Sequence, residues 1–263
     1  MWGSNTCFPV SFLHLMPSRP ADRAPLTPRA IARLAPLPRS FYVRDPLTVA
    51  RELLGKLLIR LVPEDVSAPA ARTRVLAGRI VESEAYLGAD DPGAHTYRGL
   101  TPRNAVLFGP PGHAYVYFIY GNHYCTNVSC QPAGVPGGVL LRALEPVCGI
   151  PAMAALRGLT LPPQTSDAQT GQTELSQAAL SQAQLRRLTS GPGRLSAALG
   201  ITRPLHNGCD LCSRSGGLYI AADPNSAAAE ISTTPRINVT RAPHDEWRFV
   251  LTGNPFVSGK RFG

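Results

Sequence analysis

Four stretches of extended-chain character between residues 75 and 144 constrain this sequence more than anything else in it. Residues 75–86, 114–119, 124–129 and 139–144 are rich in β-branched and aromatic side chains, which favour strands. Tyr120-Gly121-Asn122-His123 is a turn between the second and third, so these two pair as a hairpin with Tyr120 at or near its tip. Pro136-Gly137-Gly138 leads into the fourth, which sets Arg142 beside Leu140 and Leu144. In extended chain alternate side chains share a face. Glu82, Glu84 and Tyr86 therefore project together, opposite Val81, Ser83 and Ala85.

A carboxylate desolvated among aromatics holds protons more tightly, and a nearby cation offsets this. Glu84 and Arg142 could together hold one water, the glutamate accepting its proton and the arginine orienting it. A buried ion pair uses the same two residue types, and periodicity alone does not separate the readings. Tyr115, Tyr117 and Tyr120 form an aromatic ribbon running into Gly121. Strand tyrosines are commonly packing residues, yet such a ribbon also accepts a flat ring, each stacked base contributing about 1–3 kcal/mol. A positively charged methylated purine adds a cation–π attraction. A tyrosine at a hairpin tip can wedge into a duplex where a nucleotide has been extruded. His95 lies in a Gly-Ala-His loop within 90–112, which also holds Thr101-Pro102-Arg103-Asn104.

The chain has 263 residues, 44% hydrophobic and 16% charged, enough for one large domain or two small ones. Its 26 Lys and Arg against 17 Asp and Glu give a net charge of +9, a field that attracts polyanions. No run approaches the roughly 20 apolar residues of a membrane span. The start is a poor signal peptide, which points to a cytosolic protein, nucleoid-associated if bacterial. Six cysteines in such a length do not describe a disulfide scaffold, and the lone Cys209-Asp210-Leu211-Cys212 lacks a second ligand pair for zinc. No metal site or cofactor is expected: Glu82 with Glu84 is a weak pair for Mg²⁺, and phosphate-loop and dinucleotide fingerprints are missing.

Residues 1–40 read as a mobile basic arm, with five arginines against Asp22. The domain then runs over 41–263, with 160–187 as a low-complexity surface insertion. Asp45-Pro46 is a helix start, followed by an apolar face through Leu47, Leu54 and Leu58 and a Glu52–Lys56 pair. Asn207-Gly208 is a turn, and further strands are expected near 218–221, 236–239 and 247–251.

Val-Glu-Ser-Glu-Ala-Tyr (81–86), Ala94-His95, Thr-Pro-Arg-Asn (101–104), Ala-Tyr-Val-Tyr-Phe-Ile-Tyr-Gly (114–121) and Leu-Leu-Arg-Ala-Leu-Glu-Pro (140–146) resemble, in this order, the 3-methyladenine (alkyladenine) DNA glycosylase family that includes the mammalian enzyme. Ser-Gly-Pro-Gly-Arg-Leu (190–195) and Pro-Arg-Ile-Asn-Val (235–239) continue the match. The resemblance implies a single compact domain of mixed α/β (α+β) class, with a central antiparallel sheet, surrounding helices and a protruding β-hairpin that enters the DNA minor groove. It implies that Glu84 activates the water attacking C1′, helped by Arg142 and the backbone carbonyl of Ile237, and that Glu82 is a supporting residue. Ala85, Tyr86, His95, Tyr117 and Asn127 would form the base pocket, Asn127 guarding it against guanine, while Tyr120 intercalates. His123 departs from the family, which often has an aromatic there. The implied activity is monofunctional hydrolysis of damaged purines, 3-methyladenine foremost, from double-stranded DNA; a monomer is the default expectation. No lysine in these motifs offers a Schiff base. Two other classes use parts of the same residue set: a metal-dependent nuclease built on Glu82 and Glu84, and a non-catalytic damaged-DNA-binding protein.

Overall fold

The computed structural model describes residues 26–64, 72–119, 121–160 and 180–259. Its elements in chain order are α1 (Pro28–Arg33), α2 (Arg39–Tyr42), α3 (Pro46–Leu53), β1 (Leu57–Glu64), β2 (Arg72–Tyr86), β3 (Ala114–Ile119), β4 (His123–Ser129), β5 (Gly138–Cys148), α4 (Ile150–Leu156), α5 (Gln182–Thr189), α6 (Pro192–Ala198), α7 (Arg203–His206), β6 (Leu218–Ala221), β7 (Ile231–Thr234) and β8 (Arg248–Leu251). The mixed α/β architecture expected from the motifs is present, built on one eight-stranded sheet. Its spatial order is β3-β4-β5-β2-β1-β6, every pairing is antiparallel, and β8 joins β2 while pairing with β7.

Strand β2 is the spine. At 15 residues it pairs with β5 along one edge, and with β1 and then β8 along the other. Its register with β5 is irregular. Ile80 pairs with Leu144 and Glu82 with Ala143, but Ser83 pairs with Leu141, so Arg142 is passed over. A bulge of this kind unpairs one residue and re-aims its side chain. Here it turns Arg142 toward Glu82 and Glu84. The opposite face of β2 packs on α3, where Ser83 Oγ donates to the Ala50 carbonyl at 2.8 Å. Leu53, Leu76, Ile80, Val81, Ala85, Leu141 and Leu144 are completely buried in this core.

The helix start at Asp45 is as read: its carboxylate accepts from the Thr48 N–H at 3.0 Å. The helix ends sooner than the apolar face implied. Gly55 adopts a left-handed φ of 81°, and the Leu-Leu-Ile run becomes β1. Lys56 thus falls beyond the helix, and Glu52 pairs with Arg44 at 2.8 Å instead. Of the expected strands, 218–221 and 247–251 correspond to β6 and β8. The one at 236–239 is a turn. The strand lies upstream as β7, ended by Pro235, which has no N–H for a ladder.

Two segment boundaries also move. The arm read over 1–40 is structured from residue 26: Thr27 caps α1, Ile31 is wholly buried, and Leu37 N–H donates to the Ile220 carbonyl at 2.8 Å. Burial of one such isoleucine contributes about 1.5–3 kcal/mol, enough to dock a single turn of helix. The low-complexity insertion read over 160–187 overlaps α5, which Ser181 and Gln184 start with a capping box and which buries Leu188. The remaining parts of both segments, 1–25 and 161–179, lie outside the described residues. Among the described residues, no helix is long and apolar enough to cross a membrane.

Candidate active site

A cleft of about 590 Å³ opens where β2, β3, β4 and β5 meet the 92–96 loop, the start of α6 and the 237–241 turn. Tyr86, His95, Tyr115, Tyr117, Asn127, Arg142 and Ile237 all line it. The antiparallel β3–β4 register places Tyr115 opposite Asn127, and Tyr117 opposite Cys125. The Asn127 amide donates to the Tyr115 carbonyl at 3.1 Å, fixing its side chain at the cleft floor. His95 and Tyr117 meet edge to face, centroids 4.6 Å apart, and His95 Nδ1 lies 3.1 Å from the Tyr115 hydroxyl. Although His95 retains solvent exposure at the mouth, burial of its ring and the charge of Arg103 push its pKa down, favouring the neutral imidazole.

Glu84 is completely buried directly beneath this surface. Its Oε2 accepts from the Tyr86 hydroxyl at 3.0 Å and from Arg142 Nη1 at 3.2 Å, and its Oε1 accepts the Ile237 N–H at 2.7 Å. All three donors belong to cleft-lining residues. Burial, then the negative charge of Glu84, raises the Tyr86 pKa, so its hydroxyl stays protonated and donating. Burial alone lowers the pKa of Arg142, but Glu84 and Glu82 more than offset this and keep the guanidinium charged. A carboxylate offers about four acceptor positions, so these bonds leave one on Oε1 uncommitted among the described residues.

Glu82 is bonded quite differently. Arg142 Nε at 2.7 Å, Arg248 Nε at 2.8 Å and Ser258 Oγ at 2.9 Å converge on its Oε1, while the Ser258 N–H reaches Oε2 at 2.6 Å. Arg248 is itself held by Thr234 Oγ1 and the Ser258 carbonyl. Glu82 is thus the anchor that locks Arg142. Among the described residues no group of three or more His, Cys, Asp or Glu could hold a metal ion.

The sequence-expected residues converge with two exceptions. Ala85 is a correction: it alternates away from Glu84 and Tyr86 and is buried in the α3-facing core. Tyr120 lies outside the described residues. Ile237 contributes its N–H to Glu84, a contact that the expectation for its carbonyl did not include. His123 lies against Gly193, where even a methyl group would come within 2.9 Å of the ring.

Sequence reasoning missed two supports. Buried Asn104 donates to the His95 and Gly99 carbonyls, at 2.9 and 3.0 Å, and accepts from the Thr101 N–H, bracing the histidine loop. Asp91 and Arg236 form a second buried pair beside Tyr86. The Thr-Pro-Arg-Asn motif was a signal for the first, but nothing in spacing connects residues 145 positions apart.

The site is thus a completely buried carboxylate, bonded by an arginine, a tyrosine and a backbone N–H, beneath an aromatic cleft on a basic chain. Consistent with this, residues 40–255 match the family model described as methylpurine-DNA glycosylase, and the chain belongs to that family. A relative from Koribacter versatilis, provisionally named a 3-methyladenine DNA glycosylase, is 50% identical over 233 residues, covering 89% of this chain and 98% of its own. Relatives with the same provisional name from Burkholderia lata and Methanocella arvoryzae are 44% and 42% identical, covering 92% and 86% of this chain and 97% and 98% of their own.

Proposed function

We propose that this chain is a monofunctional DNA glycosylase of base-excision repair, which extrudes an alkylated purine from duplex DNA into the cleft and hydrolyses its N-glycosidic bond. Glu84 accepts a proton from a water held at its uncommitted acceptor position, with Arg142 and the Ile237 carbonyl orienting it. The water oxygen bonds to C1′, the bond from C1′ to the purine nitrogen breaks, and the base departs with the electron pair. A cationic methylated purine leaves neutral, so this step needs no separate acid. Tyr86, His95 and Tyr117 hold the base, Asn127 rejects the guanine amino group, and Tyr120 fills the gap in the duplex. Arg194 and Arg241, exposed at the mouth, suit flanking phosphates. The chain acts as a monomer, with 3-methyladenine as the leading substrate.

The observation that carries this reading is the triple bonding of Glu84 by residues that all line the cleft. Among the described residues no lysine lines that cleft, which favours hydrolysis over a Schiff-base lyase. A two-carboxylate metal nuclease would need Glu82, whose oxygens are already taken by two arginines and Ser258. Incubation with methylated duplex DNA in EDTA tests the proposal: free methylpurine and intact strands carrying abasic sites are expected. Metal-dependent strand scission without free base would overturn it.

A further inference from the structure

We infer that Arg236, held by Asp91, is a positioning residue for the general base, setting two of the three donors that bind Glu84. This rests on the glycosylase reading above. Asp91 is wholly buried and Arg236 nearly so, and the pair is two-pronged: Nη1 reaches Oδ2 at 2.6 Å and Nη2 reaches Oδ1 at 2.9 Å. Such a fork fixes the plane of a guanidinium as well as its position.

That plane has three consequences at the site. The guanidinium carbon lies 4.7 Å from the Tyr86 ring centroid and 4.8 Å from that of Trp247, so the cation backs the tyrosine whose hydroxyl bonds Glu84. Nη1 also donates to the Ala85 carbonyl at 3.1 Å, pinning the backbone between Glu84 and Tyr86. The next residue in the chain supplies the Ile237 N–H to Glu84 Oε1. Asn238 then turns with a φ of 59°, a left-handed conformation that asparagine tolerates better than most residues. One side chain therefore anchors both the tyrosine and the backbone donor.

Asp91 extends the device to the base wall. It accepts the Gly93 N–H at 2.8 Å and the Leu87 N–H at 3.2 Å, which shapes the loop leading to His95. Gly93 is required there, because a Cβ would come within 2.9 Å of Arg236 Nη2 and 2.7 Å of Val239. Buried ion pairs are often replaceable by apolar groups at little cost in stability. This one has its contacts directed at the donors of a single carboxylate.

The test compares Arg236→Met, Arg236→Lys and Asp91→Asn with the wild-type full chain. Single-turnover release of methylpurine from duplex DNA treated with dimethyl sulfate gives the rate. Titration with a duplex carrying a tetrahydrofuran abasic analogue gives the affinity and the fraction of folded sites. Arg236→Met is expected to lower the rate per site about 100-fold, the scale set by ~1 Å displacement of reacting groups, with analogue affinity essentially unchanged. The lysine variant keeps the cation but loses the fork and recovers only part of the rate. The nearly isosteric Asp91→Asn falls between wild type and Arg236→Met. A loss of folded sites with an unchanged rate per remaining site would overturn the assignment alone. A wild type that releases no base overturns the underlying glycosylase reading, and the assignment with it.

Discussion

Two carboxylates stand two residues apart on the same face of β2, both completely buried, and the molecule bonds them differently. Glu82 is held by two arginines and both Ser258 donors, and among the described residues none of its hydrogen bonds comes from Tyr86, His95, Tyr117 or Asn127. Glu84 is held by one arginine, one tyrosine and one backbone N–H, all from the cleft surface. Burial and proximity to Arg142 are common to both, so neither feature identifies a general base. What separates them is where the donors come from, and that Glu82 receives four hydrogen bonds where Glu84 receives three.

The sharpest way to break that contrast is to exchange each carboxylate for its amide. Glu84→Gln is expected to lower single-turnover base release at least about 1000-fold, within the range that general-base catalysis supplies, while binding of an abasic-analogue duplex persists. Glu82→Gln should act on stability instead. It leaves Arg142 and Arg248 buried around a neutral group, a loss of about 3–5 kcal/mol, seen as a fall in Tm of roughly 10 °C. Tyr86→Phe removes one hydrogen bond to a charged acceptor, about 1.5–3 kcal/mol, and should slow release roughly 10- to 100-fold without a comparable change in Tm. Asn127→Ala has a smaller effect of another kind: slow release of undamaged guanine, assayed on unmethylated duplex, should become measurable.

Acidity separates stability from catalysis further. His206 is almost fully buried, and burial together with Arg60 holds its pKa below the usual 6.5. The unfolded chain therefore takes up this proton first as pH falls through about 6.5. Stability from this source is complete above that pH and is lost progressively below it, down to the folded pKa. His95 acts in the same direction. Tm should decline modestly from pH 7.5 to 5, and His206→Gln should flatten the slope.

The strand period made much of this site legible. It placed Glu82, Glu84 and Tyr86 on one face, whereas Tyr117 and Asn127 were picked out by the family resemblance, and the β3–β4 register sets both along the cleft. The same alternation puts Ala85 in the core, against the pocket role implied for it by resemblance. The aim of Arg142 was not legible, since it depends on a bulge that shifts register by one residue. Leu57 and Leu58 could continue a helical face or begin a strand, and the backbone freedom of Gly55 decided for the strand. Arg236 fell in an apolar run that looked extended, and Pro235 moved the strand upstream. Its partner Asp91 lies 145 residues away, a separation that local pattern does not span.

The central claim is that Glu84, and not its neighbour, activates the attacking water. Base release per folded site by Glu84→Gln and Glu82→Gln, measured side by side on methylated duplex in EDTA, tests it most directly. The account predicts near-complete loss for Glu84→Gln and substantial retained activity in the Glu82→Gln molecules that remain folded. Equal release by Glu84→Gln and wild type, or loss confined to Glu82→Gln, would contradict it.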